Sequence, residues 1–306
     1  MKTIATHNGQ FHADDTVGVA ILQRIYAMRG HDVRVIRTRD PRALDAADVV
    51  VDVGGVYDAE TRRYDHHQAG RAGARPSGVM YAGAGLVWKH HGHDYLTVDG
   101  IDPADIAAVW ERVDARFIAA IDAVDNGQAL VVGGEAAFPG VQSLGFSSLV
   151  SSLNPTWVES ASPDELFGQA VDLAETALHR AVTEALGHVR AQEIVRTAVA
   201  VQGDPGVLVL ERFVPWAEHI HDVGAKALYV VFPDQTGTWM CQAVPDSPGS
   251  FGKRKPLPEA WAGKRDADFQ VITGVEDGVF AHPGLFICGA RSLGGALRLA
   301  GMAVAA

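Results

Sequence analysis

Histidine and aspartate residues gather in four short segments within the first 127 positions of the chain. The segments read HNGQFHADD at 7–15, DVGG at 52–55, DHHQ at 65–68 and DAVDNG at 122–127. A single aspartate after a strand is usually a helix cap or turn residue, and a single histidine is usually a surface or satisfied core residue. Four such segments in one part of the chain favour a metal site instead, because imidazole and carboxylate groups both hold divalent cations.

The mixture of ligand types bears on which cation such a site would hold. Neutral imidazole together with carboxylate suits Mn²⁺, Fe or Zn²⁺, whereas Mg²⁺ prefers oxygen ligands and water. Many carboxylates around one point repel one another unless cations neutralise them. Two metals about 3.5–4 Å apart, sharing a bridging carboxylate, form the arrangement that holds the attacking and leaving oxygens in phosphoryl hydrolysis. The pattern therefore predicts a two-metal phosphoesterase site.

The elements that must position these residues alternate between strand and helix signals. Strands are predicted at 2–7, 32–38 and 48–54, and helices at 14–29, 77–91 and 103–124. The third strand is continuous in valine, which is typical of a strand buried on both faces. The alternation predicts an α/β fold with a parallel sheet and helices on both faces. Because ligands bind beyond the carboxyl ends of such strands, His7, His12, Asp14 and Asp52 are expected to meet there.

The second half of the chain has a different organisation. A long helical pattern runs from Ser162 to about Ala198, and Gly187 is the point where it could break. Strand patterns follow at 199–213, 227–233 and 238–244. We therefore expect two domains: a catalytic domain at 1–160 that carries the histidine and aspartate segments, a connector helix at 161–198, and a smaller α/β domain at 199–306.

Composition limits the class of protein. With 306 residues, 47% of them hydrophobic, the chain can form sizeable cores. The net charge of −11 excludes a protein that coats nucleic acid by bulk charge, but not one that holds phosphate through cations or a local basic patch. Cys241 and Cys288 lack paired spacing, which favours a reduced compartment. The start of the chain lacks signal-peptide features, and no apolar run approaches the roughly 20 residues of a membrane span. We expect a soluble, cytoplasmic protein without an obligate protein partner.

Two further histidine clusters are expected to be surface tracts rather than metal sites. The string KHHGH at 89–93 falls at a predicted helix end, where cationic residues suit the helix dipole and solvent exposure is common. The string EHIHD at 218–222 is interpreted in the same way.

The order of the motifs resembles one family. The strings THNGQFHADD, DVGGVYD, YDHHQ, DAVDNG and RKPLPEAWAG, the last at 254–263, are similar to those of the metal-dependent protein hydrolases, also called melanocyte-proliferating-gene exonucleases. This family is a branch of the DHH phosphoesterases, which include RecJ-type exonucleases and manganese-dependent family II pyrophosphatases. The match covers most of the chain in order. It implies a DHH-type fold for the N-terminal domain and two divalent cations, with Mn²⁺ favoured over Mg²⁺ and other metals.

The resemblance also implies residue roles, with Asp52 bridging the two cations. One cation would be held by His7, His12 and Asp52, the other by Asp14, Asp52, His66 and Asp125. His67 would face the substrate phosphate with Asp65 supporting it, so the implied catalytic residues are His67, Asp65, Asp14 and Asp52. His12 replaces the aspartate that the wider superfamily usually carries, and the first motif is one residue longer. These departures leave the identity of the first cation open.

Three further assignments concern neighbouring residues. Asp122 lies one helical turn before Asp125 and is an alternative ligand. Asp15 could cap a helix, support a ligand or bind metal, and the cap is favoured. In DHH enzymes the second domain closes on substrate with basic and glycine-rich elements, which implies substrate-binding roles for Arg254, Lys255 and Arg291. The alternative for these three residues is a solvated basic loop.

The function implied by the family is 3′–5′ exonuclease action on RNA or short oligonucleotides, by a water activated between two metals. Two alternatives stay open. One is hydrolysis of a small phosphodiester or pyrophosphate-like compound, which the acidic net charge fits better. The other is metal-dependent binding without catalysis.

Overall fold

The computed structural model describes residues 1–131, 144–203 and 205–306. Internal contacts divide the chain into two units, Met1–Leu186 and Gly187–Ala306. The division falls inside one long helix, near the domain boundary expected at about residue 198. The catalytic and substrate-binding roles expected for 1–160 and 199–306 remain predictions.

The first unit is an α/β unit whose elements follow one another in the expected alternation. Its strands are β1 Lys2–Thr6, β2 Val33–Arg37, β3 Val49–Val51, β4 Tyr57–Asp58 and β5 Arg63–Tyr64. Its helices are α1 Ala13–Met28, α2 Pro41–Ala46, α3 Gly83–Val98, α4 Pro103–Val113, α5 Ala119–Asp125, α6 Phe146–Ser151 and the first part of α7 Pro163–Gln202. A π-helical segment, Asp114–Ile118, joins α4 to α5.

The sheet of the first unit has the strand order β2-β1-β3-β5-β4, in which all neighbours are parallel except the β4–β5 pair. Helices cover both faces, as predicted. Val51 lies against Gly18 of α1, so close that a methyl group on that glycine would come within 2.8 Å of a Val51 methyl. Val50, which points the other way, packs in a cluster with Leu44 of α2. The valine run is therefore buried on both faces because each face has its own helix.

Two predicted helices differ from the observed ones. The helix expected at 77–91 begins only at Gly83 and continues to Val98. The residues before it form a tight turn, in which the Arg75 N–H donates to the Val79 carbonyl and the Gly78 N–H donates to the Arg75 carbonyl. The helix expected at 103–124 begins at Pro103 with Asp102 as its N-cap, and the π-helical segment interrupts it.

The second unit is also built as a sheet between helices. It contains β6 Val207–Val209, α8 Trp216–Asp222, β7 Tyr229–Pro233, β8 Trp239–Ala243, α9 Asp266–Thr273, β9 Gly278–Ala281, β10 Ile287–Ala290 and α10 Leu293–Ala305. The strand order is β6-β7-β8-β10-β9, with only the β6–β7 pair parallel. Tyr229 and Val231 face a core that includes Leu299 of α10, whereas Val230 and Phe232 face the core that includes α8.

The strands predicted at 227–233 and 238–244 are confirmed as β7 and β8, whereas the strand predicted at 199–213 is wrong over most of its length. Helix α7 continues to Gln202, because Val195, Ala198 and Val199 pack into the core of the second unit, and only Val207–Val209 is a strand. Asp204, within that predicted strand, lies outside the described residues. Of the helices that the structure describes, none has both the length and the apolar run needed to cross a membrane.

Helix α7 runs through Gly187 without a break. A Cβ atom added at this exposed position would meet nothing within 4 Å. Since glycine costs a helix interior roughly 0.5–1 kcal/mol relative to alanine, Gly187→Ala should raise the free energy of unfolding by about that amount. Urea denaturation followed by circular dichroism measures this change.

Gly85→Ala is the matched opposite, because its Cβ would lie 1.7 Å from Oδ2 of the buried Asp122. This variant should be less stable than the wild type. A lower free energy of unfolding for Gly187→Ala would contradict a continuous α7 helix at this position.

Candidate metal centre

The motif residues meet at the carboxyl edge of the first sheet. His7 follows β1, Asp52 follows β3, and His66 lies two residues after β5. These strands are parallel neighbours, so their carboxyl ends lie side by side. The first turn of α1 adds Asp14 and Asp15, and the last residue of α5 adds Asp125.

Asp52 lies between the two buried histidines. Its Oδ2 is 3.3 Å from Nε2 of His7, and its Oδ1 is 3.2 Å from Nε2 of His66. The backbone φ of Asp52 is +55°, in the left-handed region that aspartate and asparagine tolerate better than most residues. A carboxylate whose two oxygens face different histidines has the position that a ligand shared by two cations would need.

The remaining carboxylates fall on two sides of Asp52. Asp15 Oδ2 lies 3.2 Å from Nε2 of His7, and Asp125 Oδ2 lies 3.2 Å from Nε2 of His66. The exposed His12 lies 4.0 Å from Asp125 and groups with Asp14 and Asp125. Three groups among the described residues have ligand atoms close enough together to hold a metal ion: His7–Asp15–Asp52, His12–Asp14–Asp125 and Asp52–Asp65–His66–His67. This grouping differs from the implied one, because Asp15 takes the place of His12 beside His7.

Several buried atoms of this centre have no hydrogen-bond partner among the described residues. They are Asp14 Oδ1, Asp15 Oδ2, Asp52 Oδ1 and both ring nitrogens of His66. Buried polar atoms normally have a partner, because leaving one unpaired costs the desolvation of that group. Some of these atoms are within ion-pair distance of one another but lack hydrogen-bond geometry. Carboxylate and imidazole lone pairs that converge in this way fit divalent cations of the Mn²⁺ or Zn²⁺ kind.

Electrostatics links the two histidines to the carboxylates. Burial alone would lower the pKa of His7, but Asp15 and Asp52 outweigh it and raise the pKa to about 10. Burial is likewise outweighed at His66, where Asp125 and Asp52 raise the pKa to about 10. Burial would raise the pKa of Asp52, but His66 and His7 lower it to about 2. Without a cation, protons on the imidazoles therefore balance the buried negative charge.

Asp65 holds His67 at the open side of the centre. Asp65 Oδ1 accepts hydrogen bonds from the backbone N–H groups of His66 and His67, at 2.7 and 3.1 Å, and lies 2.7 Å from Nδ1 of His67. Its Oδ2 accepts from the Gly55 N–H at 2.5 Å. Since a carboxylate only accepts, Nδ1 of His67 carries the proton and Nε2 stays available. The His67 side chain is 62% exposed and thus accessible to a ligand. Because Asp65 accepts from its backbone and contacts its ring, Asp65 lies in the supporting position that the resemblance implied.

Asp15 performs the capping role that was favoured for it. Its Oδ1 accepts from the His12 N–H at 3.0 Å at the start of α1. Its other oxygen faces His7, so the same side chain both caps the helix and belongs to the cluster.

Asp122, the alternative to Asp125, is engaged elsewhere. It accepts from Nη1 of Arg75 at 2.7 Å and from the Gly85 N–H at 2.9 Å. Arg75 also makes two hydrogen bonds of 2.7 Å to Asp114 in the π-helical segment. Burial raises the pKa of Asp122 to about 6 despite the neighbouring guanidinium. Sequence reasoning missed Arg75, because its two partners lie 39 and 47 positions away without a local pattern.

The first turn of α3 approaches the centre closely because it is glycine-rich. The Gly83 N–H donates to Asp14 Oδ2 at 3.3 Å. A Cβ at Gly83 would lie 3.1 Å from that oxygen and 3.1 Å from Cβ of Asp52. Burial, together with Asp52 and Asp125, raises the pKa of Asp14 well above its usual value. The helix N-terminus and its N–H group favour the ionised form of Asp14. The small residues AGAG at 82–85 are the sequence feature from which this close approach of the helix could have been predicted.

Arg37 fixes the loop between His7 and His12. Its Nη2 donates to the Gly9 carbonyl at 2.5 Å, and its Nη1 donates to Asp164 at 3.1 Å. The guanidinium lies 4.9 Å from the ring centre of Phe167, and the side chain is only 3% exposed. Arg37, which sequence reasoning also missed, thus connects the loop between His7 and His12 to the start of α7.

Both histidine clusters expected on the surface are partly buried. His90 and His91 lie within α3 rather than at its end, and their Nε2 atoms are 2.8 Å from the hydroxyl groups of Tyr57 and Tyr64. His91 is half-buried, and burial lowers its pKa to about 4. In the other cluster, His219 is buried. The surface expectation is wrong for His91 and His219 because each packs on the inner side of its helix, and neither belongs to a metal-binding group in the described residues.

The basic residues of the second unit are mostly used internally. Nη1 of Arg254 donates to the carbonyls of Ala225 and Ala227 at 2.6 and 2.9 Å. Nζ of Lys255 donates to the Val304 carbonyl at 2.8 Å. Arg291 is exposed. Arg254 therefore ties together loops of its own unit, and the substrate-binding roles expected for Arg254, Lys255 and Arg291 stay predictions.

The first unit thus defines an α/β protein with a buried histidine–aspartate centre suited to divalent cations. A family model named MYG1_exonuc and described as "Uncharacterised protein family (UPF0160)" matches residues 3–304. The MYG1 exonuclease of Homo sapiens is 35% identical over 97% of this chain and 84% of its own length. A MYG1 protein of Schizosaccharomyces pombe is 35% identical over 97% of this chain and 95% of its own. The chain belongs to the MYG1 exonuclease family, and the family indicated by the ordered motifs is confirmed.

Solved structures of RecJ from Thermus thermophilus in complex with Mn²⁺ and Mg²⁺ are also similar, at 17% and 15% identity and TM-scores of 0.26 and 0.25. The alignments cover all of this chain and 52% and 50% of those chains, so this chain spans about half their length. At these TM-scores the RecJ structures do not serve as a guide to the metal centre of this chain.

The position of Asp52 leads to a first test of the centre. Asp52→Asn keeps the shape and the tolerance of positive φ but removes the charge between the two histidines. The variant should stay folded and bind Mn²⁺ at least about tenfold to a hundredfold more weakly, the loss typical even of residues that only support metal ligands. Calorimetric titration of the metal-free protein, with metal content measured by mass spectrometry, tests this. If Asp52→Asn bound Mn²⁺ with the affinity and stoichiometry of the wild type, the carboxylate of Asp52 would not be a metal ligand.

The glycine approach of α3 gives a second test. Gly83→Ala should displace Asp14 or the helix, and should weaken Mn²⁺ binding about tenfold to a hundredfold, as changes around metal ligands do. Gly187→Ala is the control, because it adds the same methyl group where nothing lies within 4 Å. The same titration applies to both variants. Equal Mn²⁺ affinity in the two would show that the centre does not depend on this contact.

Proposed function

We propose that this protein is a metal-dependent phosphodiester hydrolase that acts as a 3′–5′ exonuclease on RNA or short oligonucleotides. The observation that carries the proposal is the convergence of unpartnered carboxylate and imidazole atoms around Asp52, at the carboxyl edge of the sheet. The names of the MYG1 relatives support nuclease chemistry. A cavity of about 450 Å³ opens onto the centre and provides room for a substrate phosphate.

The residues divide into those that would hold cations and those that would act on substrate. His7, Asp15 and Asp52 would hold one cation, and Asp14, Asp52, His66 and Asp125 the other, with His12 beside the second group. Two divalent cations supply Lewis acidity and lower the pKa of the attacking water. Mn²⁺ fits this mixed ligand set better than Mg²⁺.

His67 is the residue proposed to act on the phosphoryl group. Asp65 fixes its ring through Nδ1, so the imidazolium form can donate a hydrogen bond from Nε2 to a charged phosphoryl oxygen. Because the hydrogen bonds to Asp65 come from two backbone groups and the ring, His67 is oriented before substrate arrives.

A second candidate is hydrolysis of a small phosphodiester or pyrophosphate-like compound. The net charge of −11 and the modest cavity favour it over a long nucleic acid. The length dependence of hydrolysis from a dinucleotide to an octanucleotide separates the two candidates, since an oligonucleotide enzyme gains affinity from additional phosphate contacts.

The central experiment is incubation of metal-free and Mn²⁺-loaded protein with RNA labelled at either end. We expect hydrolysis only with Mn²⁺, release of the 3′ label first as a mononucleotide, and gradual shortening of the 5′-labelled strand. His66→Ala should abolish this activity, and the double variant His90→Ala/His93→Ala should keep it. Binding of RNA without hydrolysis would favour a non-catalytic role, and release of the 5′ label first would reverse the proposed direction.

A further inference from the structure

The cavity over the metal centre has one strongly basic residue on its wall. Its lining includes His7, Asp52, His67, Asp125, Gln10 and Arg39. Arg39 is the sole arginine or lysine among the described residues that line it. Arg39 follows the end of β2 by two residues, and no recognisable sequence motif surrounds it.

The backbone on both sides of Arg39 is fixed. The Thr38 N–H donates to the Thr6 carbonyl at 2.8 Å, which extends the pairing of β1 and β2 by one residue. The Asp40 N–H donates to the Thr38 hydroxyl, and Asp40 Oδ1 accepts from the Arg42 N–H to cap α2. Arg39 therefore extends from a loop whose backbone is hydrogen-bonded on both sides, at the same carboxyl edge of the sheet that carries His7.

The side chain of Arg39 is available to a ligand, in contrast to that of Arg37. Arg37, two residues earlier, is buried and uses its guanidinium on Gly9 and Asp164. Arg39 is exposed, and within the described part of the chain its guanidinium has neither a hydrogen bond nor an ion pair. The carboxylates of the same cavity are directed at His7 and His66 or, for Asp65, at His67 and backbone N–H groups.

We propose that Arg39 binds a phosphate group of the substrate at the mouth of the metal centre, so that the first unit itself contributes a phosphate-binding residue. The inference rests on the proposed phosphodiester chemistry. A guanidinium matches two phosphate oxygens at once, which lysine cannot do. Arg39 would add to the substrate-binding residues expected in the second unit, where the guanidinium of Arg254 also donates to carbonyls of that unit.

Binding of adenosine 5′-monophosphate and of inorganic phosphate to the Mn²⁺-loaded protein tests the proposal without relying on turnover. Arg39→Ala should weaken both by roughly tenfold to a hundredfold, the loss expected for a charge-assisted contact. Arg39→Lys should fall between Arg39→Ala and the wild type. Arg42→Ala removes the same charge three residues away, outside the cavity lining, and should bind as the wild type does. The Mn²⁺ content of all variants should be unchanged.

Kinetics adds a second readout. An interaction made equally with substrate and transition state lowers KM without changing kcat, so Arg39→Ala should raise KM for a dinucleotide and largely keep kcat. Thermal unfolding of each variant checks that the fold is intact.

The outcomes separate this proposal from the proposed function. Wild-type binding of both probes by Arg39→Ala, or loss of Mn²⁺ from it, would overturn the role of Arg39 even if the wild type hydrolyses RNA. Absence of probe binding to the wild type would overturn it as well. A wild type that binds the probes through Arg39 but hydrolyses no phosphodiester would refute the hydrolase and retain the phosphate site.

Discussion

Burial of several carboxylates at one point is the constraint on which the first unit depends. Asp14, Asp15 and Asp52 are all buried beside one another at the carboxyl edge of a parallel sheet. Like charges in a water-poor site repel strongly, so they persist only with compensating positive charge or protonation. The imidazoles of His7 and His66 supply that charge when no cation is bound, which is why their pKa values rise while that of Asp52 falls. The same cluster of carboxylates and imidazoles underlies the proposed binding of divalent cations.

The surrounding structure keeps these groups at fixed positions. The glycine-rich start of α3 lets a helix N-terminus reach Asp14. Arg75 binds Asp122 and so keeps a second nearby carboxylate out of the cluster. Arg37 holds the loop that carries His7 and His12. Each contact joins a local motif to a distant part of the first unit, as expected of residues that orient metal ligands rather than bind metal.

The basic residues divide into those that stabilise the fold and those that stay available. Arg37, Arg75 and Arg254 donate to carbonyls and carboxylates of their own units, where an unpaired charge would be costly. Arg39 and Arg291 are exposed. Because the net charge of −11 repels polyanions, the exposed arginines are where this acidic chain offers local positive charge.

Local sequence patterns were enough to predict the strand–helix alternation, the valine-rich buried strand, the four histidine–aspartate segments and, through the order of the motifs, the family. These follow from periodicity, turn chemistry and residue type, which are properties of neighbours in the chain. Folding in three dimensions places Asp15 rather than His12 beside His7, pairs Asp122 with Arg75, and sets Cys241 opposite Cys288 on β8 and β10. Such pairings depend on strand order, helix packing and loop conformation, which local patterns do not show. Arg75, for example, meets partners 39 and 47 positions away only once the whole unit has folded.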